Sequence, residues 1–322
     1  MALSNMKVFN EYLKRVTIET LAQDVEKFNA ASAGSIRLTT QGIDGDFLQE
    51  SFWAGLHGAQ RRVDRYAANG AQAATPLAQK QYDSVKIAGG FGPILWEPAQ
   101  LSWVQKNPEE ALEVISRNLS EAIMSDQLNT AIAALVAAIG NQPSATNDVS
   151  ATAGVSYIAI NNAHALFGDA SQRLVAQVMT GAMYHKLLGQ NLANAERLFQ
   201  FSGVQVVDIL GKAVIITDAA ALYEAGTPNK QKVLSLADGA AVVMDGSDLI
   251  TNIQTSNGKE RIETTMQADY TFGLGMKGYT WDTANGGKSP TSAELATGTN
   301  WDLVANSIKA SAGVITIGDA AQ

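Results

Sequence analysis

The sequence predicts an α+β fold, on three observations. Residues 107–140, NPEEALEVISRNLSEAIMSDQLNTAIAALVAAIG, form a helix with both ends marked. Asn107 is an N-cap residue, Pro108 suits the first helical position, Glu110 completes a capping-box spacing and Gly140 offers a left-handed stop. Residues 155–252 then mix strand and helix patterns. Last, a hairpin centred on Asn257-Gly258, the strongest short turn signal in the chain, joins two long strand-like arms.

In chain order, residues 4–30 read as an amphipathic helix capped by Ser4, with Val8, Phe9, Tyr12, Leu13, Val16, Val25 and Phe28 on a drifting apolar face. Such an arm needs a partner surface. Gly34 to Asp46 is rich in Gly, Ser and Thr and reads as a linker, and a short apolar segment around Phe47, Phe52 and Trp53 follows. Residues 55–106 carry turn signals at Asn69-Gly70, Pro76, Gly89-Gly90 and Pro93 around an alternation at Tyr82, Val85 and Ile87. They predict an extended hairpin with too few apolar residues for a core of its own, which therefore lies on another surface.

The helix from Asn107 is a rod of about 50 Å at 1.5 Å per residue. Leu112, Ile115, Leu119 and Ile123 share one face, and Leu128, Ile132, Leu135 and Ile139 share another about half a turn away. The two halves must be covered from different sides, so the rod crosses a subunit. The alternative is two helices broken near Ser125 and Asp126. Glu113, Arg117 and Glu121 form a solvated ladder at i, i+4 spacing.

NQPSATNDVSATAGVS reads as a polar linker and domain boundary. Beyond it RLVAQVMT is a strand, GAMYHKLLGQNLANAERLF a helix, VQVVDI and AVIITD two strands, and KVLSLADGAAVVMD further strand material. Residues 283–298 read as irregular, and Trp301 to Asp319 offers a short helix and the strand VITI.

A chain of 322 residues holds a substantial core, and its 46% hydrophobic content is that of a globular protein. No run approaches 18 charge-free apolar residues, and no secretory signal is expected at MALSNMKVFNEYLKR. The absence of cysteine removes disulfides, thiolate metal sites and cysteine nucleophiles together. A net charge of −8 argues against a tight nucleic-acid binder. The one dense basic cluster, Arg61, Arg62 and Arg65, is interrupted by Asp64 and reads as a solvated or subunit-contacting face.

No catalytic, cofactor or metal motif emerges. GLGMKG, with Gly273, Gly275 and Gly278, matches a dinucleotide fingerprint, but strand and coil follow it where a helix N-terminus is needed. A strand bend explains it better. GGKS at 286–289 lacks the first glycine of a phosphate loop, Asp282 standing in its place. His57, His164 and His185 are far apart, and Asp44, Asp46, Asp245 and Asp248 lack calcium-loop spacing.

The order of these parts resembles the major capsid proteins of tailed bacteriophages with the Hong Kong 97-type fold. SVKIAGGFGPI before LSWVQKNPEEAL, VAQVMTGAMYHKLL, LGKAVIITDAAAL and NWDLVANSIKASAGV are similar to segments of that family. The resemblance implies an N-terminal arm and lead-in (1–54), an extended loop draped over a neighbour (55–106), a peripheral-domain spine helix and linker (107–154), an axial domain (155–251) and a peripheral sheet with the C-terminal return (252–322). It implies self-assembly through hexamers and pentamers into an icosahedral head enclosing double-stranded DNA, with no enzymatic activity, cofactor or membrane. Scaffolding, portal and decoration proteins are the other expected partners. A scaffolding segment of about a hundred residues is not expected before the hairpin, so scaffolding is expected either as a separate protein or as a piece already removed. Arg61, Arg62, Arg65, Lys80 and Lys86 are the expected inter-subunit contacts, Lys80 and Lys86 as ordinary lysines rather than cross-linking groups. The competing readings are an encapsulin-like shell around protein cargo and a soluble α/β enzyme built on residues 155–252.

Overall fold

A computed structural model of the chain describes residues 3–42, 45–53, 59–68, 70–77, 79–195, 211–246, 248–257, 260 and 262–321. The expected strand VQVVDI, His57 and Gly258 lie outside these residues. Helix α1 spans Leu3–Ala31 and β1 spans Ile36–Gly42; β2 (Phe47–Trp53) and β3 (Gln79–Trp96) follow, then α2 (Pro98–Lys106) and α3 (Pro108–Gly140). Next come β4 (Thr146–Asp148), α4 (Tyr157–Ala165), β5 (Leu174–Met179), α5 (Gly181–Ala195), β6 (Ala213–Ile216), β7 (Tyr223–Glu224) and β8 (Lys230–Ala237). The chain ends with β9 (Ala241–Asp245), β10 (Ile250–Ser256), β11 (Glu263–Met276), β12 (Tyr279–Trp281), α6 (Ser292–Leu295), β13 (Trp301–Leu303) and β14 (Gly313–Asp319).

Two sheets flank α3. The first is built on β11, which has β3 along one edge and β10, then β9, along the other. β9 pairs in parallel with β1, while β12 and β13 extend the sheet at the far end of β11. Burial along β11 follows from this: its first half alternates, and its last five residues are buried on both faces. The second sheet runs β4-β14-β8-β5-β6, with β7 beside β8. The C-terminal strand β14 therefore lies inside this sheet, parallel to β4 and antiparallel to β8. The chain crosses between the sheets at Asp238-Gly239-Ala240, where Gly239 takes a positive φ of 65° and Arg37 holds both Asp238 oxygens at 2.7 Å.

α3 is one unbroken helix of 33 residues, which removes the alternative of a break near Ser125. Its first half packs on α1, and its second half is buried nearly all round, from Ala131 to Ile139, between elements of both sheets. One core cluster thus runs through both sheets by way of this rod. By length and composition alone α3 is apolar enough to cross a membrane, although it contains no charge-free apolar run of 18 residues. Its buried residues make it a core helix here.

Several local expectations are corrected. Asn107 makes no side-chain cap, and its N–H, which Glu110 would need for a capping box, instead donates to Trp103 O and closes α2. Gly140 is helical, and the cap after it is Asn141 in a right-handed conformation. Ser4 lies within α1, not before it. The supposed linker 34–46 contains β1, held by parallel pairing to a strand some two hundred residues later. The linker after α3 contributes β4 to the second sheet. The hairpin of β10 and β11 closes at the Ser256–Glu263 pair, so Asn257 begins a longer connection instead of centring a two-residue turn. The 283–298 segment contains α6, with a complete capping box between Thr291 and Glu294. KVLSLADGAAVVMD supplies β8 to one sheet and β9 to the other.

Candidate assembly surfaces

The extended hairpin begins earlier than expected and has a folded base. β2 pairs with the first part of β3, from Phe47↔Val85 to Trp53↔Gln79, and from Val85 onward β3 pairs with β11 as far as Trp96. One 18-residue strand thus belongs first to the hairpin and then to the main sheet. Glycines permit the close approach: a Cβ on Gly275 would lie 2.6 Å from Ser84 Oγ and Tyr82 Oη. Gly273 and Gly275 sit inside β11, and Gly278 has a positive φ of 81° in the tight turn to β12, so GLGMKG is a strand and its turn.

Polar contacts fix this base. Lys80 Nζ donates to Val304 O at 2.7 Å, and Asp83 N–H donates to Thr280 Oγ1 at 2.8 Å. Lys86 Nζ pairs with Asp248 Oδ2 at 2.8 Å, and Thr271 Oγ1 donates to the same oxygen at 2.9 Å. The Lys86 bond and then that of Thr271 hold the Asp248 carboxyl below its ordinary range. Lys80 and Lys86 are therefore engaged within the subunit.

At the distal end, residues 59–77 have a different character. Every described residue is exposed, and none lies in a strand or an α-helix. Arg61, Arg62 and Arg65 stand here, along with Val63, Tyr66 and Leu77, and Tyr66 is 93% exposed. Tyr66 N–H donates to Asp64 Oδ1 at 2.9 Å, which bends the backbone at the aromatic residue. The basic cluster was legible in the sequence, whereas Val63 and Tyr66 were missed. The available signal was an aromatic and a branched residue within an otherwise polar, Ala-rich loop. A loop with this content has no core to join in its own subunit.

α1 is the second such surface. Phe9, Leu13 and Thr17 are buried, and Leu21, Val25 and Phe28 pack against the core, while Tyr12 and Ile18 are exposed. Beneath its middle lies a cavity of about 270 Å³ between α1, β1, α3, β9 and β11.

The remaining candidates for chemistry resolve into structure. His164 Nε2 lies 2.9 Å from Ser235 Oγ, the spacing of a base and a nucleophile, but Ser235 is fully buried beneath α4 and no substrate reaches it. Burial, and then the Lys212 ammonium, pull His164 down to about 4. His185 makes an edge contact with Tyr184 on α5. Gly286 and Gly287 of the GGKS stretch wrap Trp281: a Cβ on Gly286 would lie 2.1 Å from the indole, and Gly287 O accepts from Trp281 Nε1 at 3.0 Å. Among the described residues no group of three His, Cys, Asp or Glu could hold a metal ion.

Comparison with known proteins agrees with a chain built around association. The model of the family described as Gp13-like, major capsid protein 13-like, matches residues 5–315. No curated protein matches by sequence. Among solved structures, the capsid of cyanophage Pam1 is similar over 89% of this chain and 88% of that one, at 13% identity and a TM-score of 0.52. The Helicobacter pylori bacteriophage KHP30 capsid covers 89% and 88% at 9% identity and a TM-score of 0.47. The Ralstonia phage GP4 capsid covers 76% and 83% at 12% identity and a TM-score of 0.45.

Proposed function

The chain belongs to the Gp13-like family of major capsid proteins, and from that premise we propose that its copies close through hexamers and pentamers into an icosahedral head enclosing double-stranded DNA. Its fold is the Hong Kong 97-type capsid fold, and its role is structural, in the head of a phage virion. The observation that carries the finer reading is the loop at 59–77, exposed throughout its described residues and mounted on a strand that is firmly built into the main sheet. A segment that gains no burial in its own subunit gains it on a neighbour, and a network of such contacts favours closed shells over free monomers.

In this reading the first sheet with α1 and α3 is the peripheral body, and the second sheet with α4 and α5 is the axial body that meets its copies around the capsomere centre. Arg61, Arg62 and Arg65 contact the adjoining subunit. Lys80 and Lys86 act one step behind them, by fixing the direction in which the loop leaves its own subunit. The net charge of −8 supports DNA being enclosed rather than tightly held. Assembly takes place in the bacterial cytoplasm, with separate scaffolding, portal and decoration proteins as partners, and the protein carries no enzymatic activity.

Deleting residues 59–77 tests this. The truncated subunits should fold, with a melting transition close to that of the full chain, and remain soluble without closing shells. Normal shells from the deletion would contradict the loop assignment.

A further inference from the structure

We propose that the cavity beneath α1 is the seat for Tyr66 of a neighbouring copy of this chain. The inference rests on the reading that the loop lies on a neighbour, and adds where it docks and what it inserts.

The cavity fits a phenol. About 270 Å³ exceeds the roughly 150 Å³ that accommodates benzene in an apolar protein cavity. Its walls include Leu21, Val25, Leu38 and Leu249, and its polar lining includes Gln127 and Thr39. Thr39 Oγ1 is buried without a hydrogen-bond partner. A tyrosine brings an apolar ring and one hydroxyl, the combination such a lining takes. Tyr66 is 93% exposed and sits at the bend of its loop, so it is presented for insertion.

The charges match as well. Ala22 on α1 lines the cavity and is exposed, and the exposed carboxylates of Glu19 and Glu26 flank it at i−3 and i+4. Tyr66 is itself flanked by Arg61, Arg62 and Arg65, with Asp64 the only acid among them. Exposed Lys14 and Arg15 lie one turn before Ile18, so the acidic rim is at the Ala22 end. An aromatic anchor beside basic residues, facing a rim flanked by carboxylates, is an arrangement that fixes register at a protein interface.

The chain has no cysteine, so an introduced pair of thiols reports without background. Shells of the full chain carrying Ala22→Cys and Ala67→Cys, treated with a short bismaleimide, should give a ladder of covalently linked subunits on a denaturing gel. Ala67→Cys paired with Ile158→Cys, on the exposed side of α4, should give none. Adding Tyr66→Phe should preserve the ladder, and Tyr66→Ala should abolish it. Normal shells with no ladder, a link confined to single subunits, or a ladder indifferent to Tyr66→Ala would each overturn the seat while leaving the loop reading intact. Failure of the unsubstituted chain to form shells would instead overturn the functional reading, and this inference with it.

Discussion

At the scale of single residues, the subunit is held by a few contacts made over long sequence distances. Tyr270 on β11 donates to Asp126 Oδ2 at 2.6 Å, at the point where α3 changes the face it buries, and its ring stacks on Phe91 at 5.5 Å. Burial, with the Asp126 bond and charge, holds the Tyr270 phenol well above its ordinary range, so it stays a donor. Gly89 leaves room for that ring, since a Cβ there would lie 2.7 Å from it. The ring pair Trp281–Trp301, at 4.7 Å, fastens the far end of the same sheet. His164 supplies a pH dependence whose sign follows from burial. Unfolded, it takes a proton near 6.5, and folded only near 4, so its full contribution to stability is present above 6.5 and is lost as pH falls toward 4. The melting midpoint should therefore drop across that window, and His164→Gln should flatten the drop. An unchanged slope in the variant would show that another group governs it.

At the scale of elements, helix ends that look alike in sequence differ in energy. Thr291 Oγ1 accepts from Glu294 N–H and Glu294 Oε2 accepts from Thr291 N–H, a working cap on α6. Asn107 joins two helices without using its side chain as a cap. Thr291→Ala should cost about 1 kcal/mol, and Asn107→Ala markedly less, in denaturant titrations of the two variants; equal losses would contradict the cap assignment. Elements with a strong local pattern were legible: α1, α3 and α5 from helical spacing, β5 and β6 from branched apolar runs. β1 was not, because IRLTTQG carries only Ile36 and Leu38 and owes its strand to β9. α4 had a readable cap in Ser156, whose hydroxyl accepts from Ala159 N–H at 3.2 Å, and α6 had its Thr291–Glu294 spacing. The extended loop was legible through what it lacks, a core. The cavity was not, because five elements separated in sequence build its walls.

At the scale of the whole molecule, a spine helix common to both sheets couples the body that carries the loop to the body on the opposite side. Displacing either sheet must disturb the packing of α3, so the subunit meets its neighbours as one mechanical unit. Exposed apolar residues are distributed over the loop, α1, α4 and the β10–β11 end, among them Tyr66, Ile18, Ile158 and Ile262. Such a distribution suits a protein surrounded by copies of itself better than one with a single binding cleft. The most direct test is electron microscopy of the purified full chain, with light scattering over a concentration series. The account predicts uniform closed shells, or free rings of six and five subunits that close as concentration rises. A monodisperse monomer or dimer at every concentration would contradict it.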